Sequence, residues 1–173
     1  MNTTTDSIAR ACTAQTTIAT PLGQLLLART EKGLAGAWFE GQKHHPEALT
    51  AVHRPDEELL RRAADQIHEY FAGERDSFDL PLDLHGTAFQ RSVWQQLLAI
   101  RPAGTTSYGA IAAALGSASA VRAVGGAVGR NPISVIVPCH RVVGRDGSLT
   151  GYAGGVDRKR TLLSLEGAAA AVA

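Results

Sequence analysis

Cysteine is scarce in this chain, with only Cys12 and Cys139 among 173 residues. Two thiols in a chain this long are no disulfide framework, and a reducing, cytoplasmic compartment suits them best. Membrane-spanning runs are missing as well. No residue between Arg101 and Arg122 is charged, but Pro102, Gly104, Gly109 and Gly116 interrupt the stretch, which excludes a span. The first residues, Met-Asn-Thr-Thr-Thr-Asp, lack the basic and apolar regions of a signal peptide. His44 and His45 have no nearby Asp or Cys at ligand spacing, so they read as part of a solvated loop and no metal is expected. Acidic residues are rare in one half only. Residues 1–85 hold eight Lys/Arg against thirteen Asp/Glu, a net of −5, whereas residues 86–173 hold nine against three, a net of +6. That split suggests an acidic supporting domain and a basic half facing a polyanion.

What remains is an ordinary globular composition, 45% apolar and 19% charged, in a chain long enough to bury a core. Three strand-like runs, 16–20, 24–28 and 34–39, are separated by turn residues at Pro21–Gly23 and Glu31–Gly33. A loop follows over 41–54. Asp56–Phe71 reads as an amphipathic helix with Leu59, Ala63, Ile67 and Tyr70 on one face. Residues 74–87 read as a linker, with a domain boundary near 85 where the charge changes sign. The second half reads as helical: Ala88–Ile100, with Phe89, Val93, Leu97 and Ile100 at helical spacing; Tyr108–Leu115, capped by Thr106 or Ser107; about Ala120–Gly129; and Arg158 to about Glu166. The two helices around Gly116 have helix-turn-helix spacing, and the residues after Gly167 read as a frayed tail.

The helix from Ala120 is unusual for a surface helix. Val121, Val124 and Val128 form a core stripe, while the other face is Ala and Gly with one interior charge, Arg122. Gly125 and Gly126 together cost about 2 kcal/mol of helix propensity relative to alanines. Either tight helix packing or close approach of the backbone to another surface would account for that cost. Between residues 102 and 140 the only formal charges are Arg122 and Arg130, which favours a phosphate-bearing partner.

The most informative stretch is Ile133-Ser-Val-Ile-Val-Pro-Cys-His-Arg-Val-Val-Gly144. An apolar, strand-like run ends at Pro138 and delivers Cys139, His140 and Arg141. A free cysteine is often only a small core hydrophobe. A thiol followed at once by a base and a permanent cation instead has what an activated nucleophile needs, because neighbouring cations lower its pKa.

These residues resemble one family closely, the O6-alkylguanine-DNA alkyltransferases, also called methylated-DNA–protein-cysteine methyltransferases. The Ile-Val-Pro-Cys-His-Arg-Val core is joined in order by Ser107-Tyr108, Arg122-Ala-Val-Gly-Gly126, Asn131-Pro132, Gly151-Tyr-Ala-Gly-Gly155 and Glu166-Gly167. The resemblance implies an α+β chain. A small ribonuclease H-like supporting domain over 1–85 would precede a mostly helical, winged helix-turn-helix-like domain over 86–167, with 168–173 as the tail. It further implies irreversible, single-turnover DNA repair without a cofactor. Double-stranded DNA carrying O6-alkylguanine would be bound in its minor groove and the damaged base flipped out, by a monomer able to cluster on DNA.

By the same resemblance Cys139 is the alkyl acceptor, His140 the base acting through a water, and Glu166 the carboxylate that orients it. Asn131 is the hinge before the acceptor segment. Tyr108 presses on the backbone and assists proton supply to the leaving guanine, and Arg122 fills the vacated stack. DNA contacts would also come from Gly109, Gln90, Ser117, Gly125, Gly126 and Arg145. Tyr152, Ala153, Gly154, Gly155 and Val142 would wall the base pocket with Lys159 near it, although Lys159, inside Arg-Lys-Arg, reads from sequence alone as a phosphate-facing cation. Where relatives often carry a serine after the pocket tyrosine, this chain has Ala153, leaving only a backbone N–H for the guanine oxygen. Cys12 and His85 supply at most two of the ligands with which some relatives bind zinc, so no zinc is expected. A binding-only lesion sensor and a Cys-His hydrolase are the competing readings.

Overall fold

The computed structural model describes residues 3–168, which form two compact units. The first runs through His85 and also includes Pro132–Ile136; the second comprises Gly86–Asn131 and the chain from Val137 onward. The chain therefore passes between units three times, where the sequence suggested a single crossing near residue 85.

In the first unit, helix α1 (Thr3–Ala11) precedes strands β1 (Ala14–Thr20), β2 (Gly23–Arg29) and β3 (Leu34–Phe39) and a two-residue strand β4 (Val52–His53). The sheet order is β3-β2-β1-β4, antiparallel except for the parallel β1–β4 pair. Pro21 and Leu22 make the tight β1–β2 turn, and Gly23 closes it at φ 110°, a conformation that favours glycine. Alternation of side chains puts Leu26 and Ala28 on one face of β2 and Leu25 and Leu27 on the other. Ala28, Ala35 and Trp38 pack with Ile8 and Cys12 at the α1 side, and Leu49 joins them. Helix α2 (Glu58–Phe71) lies against β1 and β2, burying Leu59, Leu60, Ala63, Gln66, Ile67 and Tyr70; Glu57 caps it through the N–H of Leu60. Neither α1 nor β4 was legible in the sequence.

Two expectations are corrected here. Residues 81–83 are not a free linker, because Leu34 N donates to Pro81 O (2.8 Å) and Asp83 N to Leu34 O (2.8 Å). Nor does the apolar run before Cys139 form a strand. Residues 132–137 are buried throughout, yet only one bridge, Ala37 to Ile133, links the run to β3, with Ala37 N donating to Pro132 O and Ser134 N to Ala37 O. Val135 turns the chain at φ 73°. A β-branched residue held there costs roughly 1–3 kcal/mol, so the surrounding packing must impose the turn.

The second unit opens with α3 (Ala88–Leu98). Its capping box pairs the Thr87 hydroxyl with Gln90 N and the Gln90 carbonyl oxygen with Thr87 N. Val93, Trp94 and Leu97 form its buried face while Phe89 is exposed, so Trp94 takes the place the periodicity gave to Phe89. A short strand β5 (Thr106–Ser107) leads into α4 (Tyr108–Ala114), capped by the Ser107 hydroxyl. Gly116 turns the chain at φ 77°, a 3-10 turn covers Ala118–Ala120, and α5 spans Val121–Gly129. Trp94 donates its indole N–H to Ala127 O (2.8 Å), fastening α5 to α3. Val121 is exposed and Ala127 buried, which corrects the valine stripe. After a 3-10 turn at Cys139–Arg141 comes β6 (Val142–Val143), parallel to β5, and then α6 (Val156–Leu165). Ala168 is buried against Val143 and Leu163, so the supposed tail is packed at its first residue; residues 169–173 lie outside the described part. No helix among the described residues is long and apolar enough to cross a membrane.

Candidate functional site

The 3-10 turn at Cys139–Arg141 gathers the chemistry of the second unit. Cys139 N donates to Val137 O (2.8 Å) and Arg141 N to Pro138 O (3.0 Å), so the turn is tightly wound at its own backbone. Asn131, just past the C-terminus of α5, donates from Nδ2 to Val137 O (2.8 Å) and to the Cys139 sulfur (3.1 Å). One amide thus ties the end of the helix to the acceptor segment and points a donor at the thiol. Cys139 is 4% exposed and Asn131 equally so.

His140 is wholly buried, with Nε2 at 3.1 Å from each oxygen of Glu166. A carboxylate can only accept, so Nε2 carries the proton and donates. Nδ1 is then the unprotonated nitrogen, and it is buried without a hydrogen-bond partner among the described residues. Burial lowers the pKa of His140 despite its carboxylate, with Arg141 and Lys159 adding to the effect, and this keeps the ring neutral. Burial likewise opposes ionisation of Glu166, but hydrogen bonds and charge from Arg141 and His140 outweigh it and bring its pKa to about 2. Its side chain is 2% exposed, which rules out a solvated carboxylate at the helix end.

Lys159 departs most from its sequence reading. Instead of facing phosphate it is fully buried, and Nζ donates to Thr150 O (2.7 Å) and Gly151 O (3.2 Å). Burial brings its pKa down to about 8. The Cys139 thiol is pushed up by burial, and the Asn131 hydrogen bond and the charge of Lys159 oppose that rise. Lys159, not Arg141, is therefore the cation that favours the thiolate. The placement of Leu162 and Leu163 three and four residues after Lys159 is the pattern that could have revealed its inward face. Thr150 O also accepts from the Tyr108 hydroxyl at 3.4 Å, and burial raises the pKa of that phenol.

Around this centre, Tyr152 and Ala153 are half-buried, Gly154 is buried and Val142 is fully buried. A Cβ on Gly154 would lie 2.7 Å from Cε1 of Tyr152, so this position admits only glycine without moving the ring. Gly155 begins α6 at φ 91°. Gly109, Ser117, Arg122, Gly126 and Arg145 are exposed and Gly125 is half-buried. Half-buried Gln90 spends its side-chain oxygen on the capping box, leaving only its amide nitrogen for any contact outside. On α5, a Cβ on Gly126 would meet nothing within 4 Å, and one on Gly125 only Tyr108 Cδ1 at 3.9 Å. Packing within the unit therefore does not require these two glycines. In the first unit, His85 Nε2 bonds Asp83 Oδ2 (2.8 Å), and burial with the Asp83 charge pushes the Cys12 thiol up to about 11.

The sequence matches the family described as 6-O-methylguanine DNA methyltransferase twice: its DNA-binding domain over residues 88–168 and its ribonuclease-like domain over residues 14–84. A methylated-DNA–protein-cysteine methyltransferase of Mycobacterium tuberculosis strain H37Rv is 49% identical over 150 residues, 87% of this chain and 90% of that one. A constitutive methylated-DNA–protein-cysteine methyltransferase of Bacillus subtilis is 44% identical, covering 87% of this chain and 93% of that one. Among solved structures, M. tuberculosis OGT in complex with DNA superposes with a TM-score of 0.83 at 46% identity, over 88% of this chain and 92% of the other.

Proposed function

The chain belongs to the 6-O-methylguanine DNA methyltransferase family, and from that membership we propose that it repairs DNA by direct reversal, moving an alkyl group from O6 of guanine in duplex DNA to the sulfur of Cys139. In this reading the Cys139 proton passes through a water to Nδ1 of His140, and the thiolate attacks the alkyl carbon in line with the C–O bond. The S–C bond forms as the C–O bond breaks, and the departing guanine takes a proton supplied by Tyr108. Nothing in this sequence of steps regenerates the thiol, so each molecule acts once. The observation that carries the proposal is the alignment of a thiol held by Asn131 next to a neutral histidine whose outer nitrogen is fixed by Glu166.

The thiol of a cysteine only 4% exposed cannot reach a stacked base, so the alkylated guanine must leave the helix, at a cost of a few kcal/mol. Arg122, exposed on α5, fills the gap, and the smooth Gly125–Gly126 surface lies along the minor groove. Gly109, Ser117 and Arg145 face the backbone, while Tyr152, Ala153, Gly154, Gly155 and Val142 wall the pocket. The protein acts as a monomer that can gather on DNA, in a reducing cytoplasm.

Intact mass after mixing with a duplex carrying one O6-methylguanine tests this directly. A gain of one methyl group, mapped to Cys139, saturating at one equivalent and absent in Cys139→Ala, is the expected result. Tight binding with unchanged mass would establish a lesion sensor instead.

A further inference from the structure

We propose that Arg141 is a positioning residue of the transfer site: by gripping both oxygens of Glu166 it fixes the carboxylate against one nitrogen of His140 and so decides which nitrogen receives the thiol proton. The proposal rests on His140 being the base, as argued above.

Cys-His-Arg in sequence suggests that the arginine serves the sulfur. The geometry turns it the other way. Nε donates to Glu166 Oε1 (2.9 Å) and Nη2 to Oε2 (2.7 Å), the parallel two-point grip of a guanidinium on a carboxylate. The remaining nitrogen, Nη1, donates to Ile100 O (2.6 Å), just beyond the end of α3. The guanidinium is thus held at three points, and Arg141 as a whole is 6% exposed. With Arg141 bound to each oxygen, the carboxylate plane cannot rotate, and His140 Nε2 sits equidistant from the two at 3.1 Å. That symmetry leaves Nε2 as a donor and Nδ1 as the only ring nitrogen able to accept.

The same grip limits how strongly Glu166 can hold a proton on the imidazole. The charged groups acting on His140 among the described residues are Lys159 from α6, Glu166 just past the end of that helix, and Arg141 on its own turn. Of these only Glu166 favours the imidazolium, and Arg141 shares it. Removing Arg141 would give the whole carboxylate to His140 and delete a repelling charge. The imidazole would then hold its proton to higher pH, and it would lose the constraint on its tautomer. A neutral base is required for transfer, so the acid limb of the rate profile must move up.

Single-turnover transfer from an O6-methylguanine duplex, measured from pH 5 to 9, tests this with Arg141→Met and with Arg141→Lys, which keeps the charge but loses the fork. The expected result is an acid-limb midpoint about one unit higher in Arg141→Met, a smaller rise in Arg141→Lys, and transfer about tenfold or more slower at neutral pH. Nitrogen-15 NMR of the His140 ring should show a single Nε2–H tautomer in the parent and a mixture in the variants. A purely structural role would lower the rate at every pH and leave midpoint and tautomer unchanged; that result would overturn the proposal. If Arg141→Met does not fold by circular dichroism, Arg141→Lys decides alone. His140→Gln separates the two levels: persistence of the acid limb in that variant would overturn His140 as base, whatever the Arg141 variants do.

Discussion

Lys159 illustrates how a single residue can trade stability for chemistry. Its ammonium is fully buried, bonded to two carbonyls and paired with no carboxylate among the described contacts. Removing a buried charge in favour of an apolar side chain of similar shape is often neutral or stabilising. Lys159→Met should therefore melt at the same temperature as the parent or higher at pH 7, while transferring methyl groups more slowly because the cation beside the thiol is gone. Calorimetry and single-turnover kinetics on the same preparation check both halves. The sign with pH follows from the depressed value near 8. The folded state prefers the neutral amine, so stability from this group is present above the ordinary lysine range and is lost as pH falls through about 8. At this scale the reacting side chains were legible, since Cys139 and His140 are adjacent and their motif is specific. Of the residues around them, Glu166 and Asn131 were named only through the family resemblance, and the grip of Arg141 on Glu166 was not named at all. Glu166 and Arg141 meet across 25 positions, and neither local spacing nor hydropathy predicts such a pairing.

At the scale of elements, α5 presents a testable separation of fold from function. Gly126 is exposed, and a Cβ there would touch nothing within 4 Å. Gly126→Ala should stabilise the protein by about 1 kcal/mol, the helix-propensity difference. If the face lies against a DNA groove, the same methyl group should weaken duplex binding. A raised melting temperature together with a raised Kd is the expected pair of results; an unchanged Kd would remove α5 from the interface. Periodicity located α2, α3, α4 and α5 to within a few residues, because each buries apolar residues on one face and the first three also carry a capping side chain. It failed where the chain is buried but irregular. The run from Ile133 to Val137 has strand composition, yet Val135 turns out of the extended region and the ladder ends after one bridge. The short strands β5 and β6 escaped notice because two residues are too few to show alternation.

For the molecule as a whole, the acid side of the stability curve should report the buried pair at the centre of the second unit. The Glu166 pKa is held near 2, well below the ordinary carboxylate range, so its contribution is present above that range and is lost as pH falls toward 2. Thermal melts of the parent should therefore fall more steeply with acidification between about pH 4.5 and 2 than those of Glu166→Gln, whose side chain cannot titrate. Parallel curves would mean that Arg141 and His140 do not hold the carboxylate as the geometry indicates. The charge split between halves was visible in the sequence. The return of residues 132–136 to the first unit was not, since a five-residue exchange leaves no mark on composition.

That return has a consequence for how the protein can be made and inherited. During synthesis the strands and both helices of the first unit leave the ribosome long before Pro132–Ile136, the piece that bonds to Ala37. The first unit therefore stays unfinished until α5 and the segment leading to Cys139 have been translated. A gene cut after His85 would encode two fragments, neither of which carries a complete set of its own backbone partners. The two halves can diverge in charge and surface, but they must travel together in one reading frame.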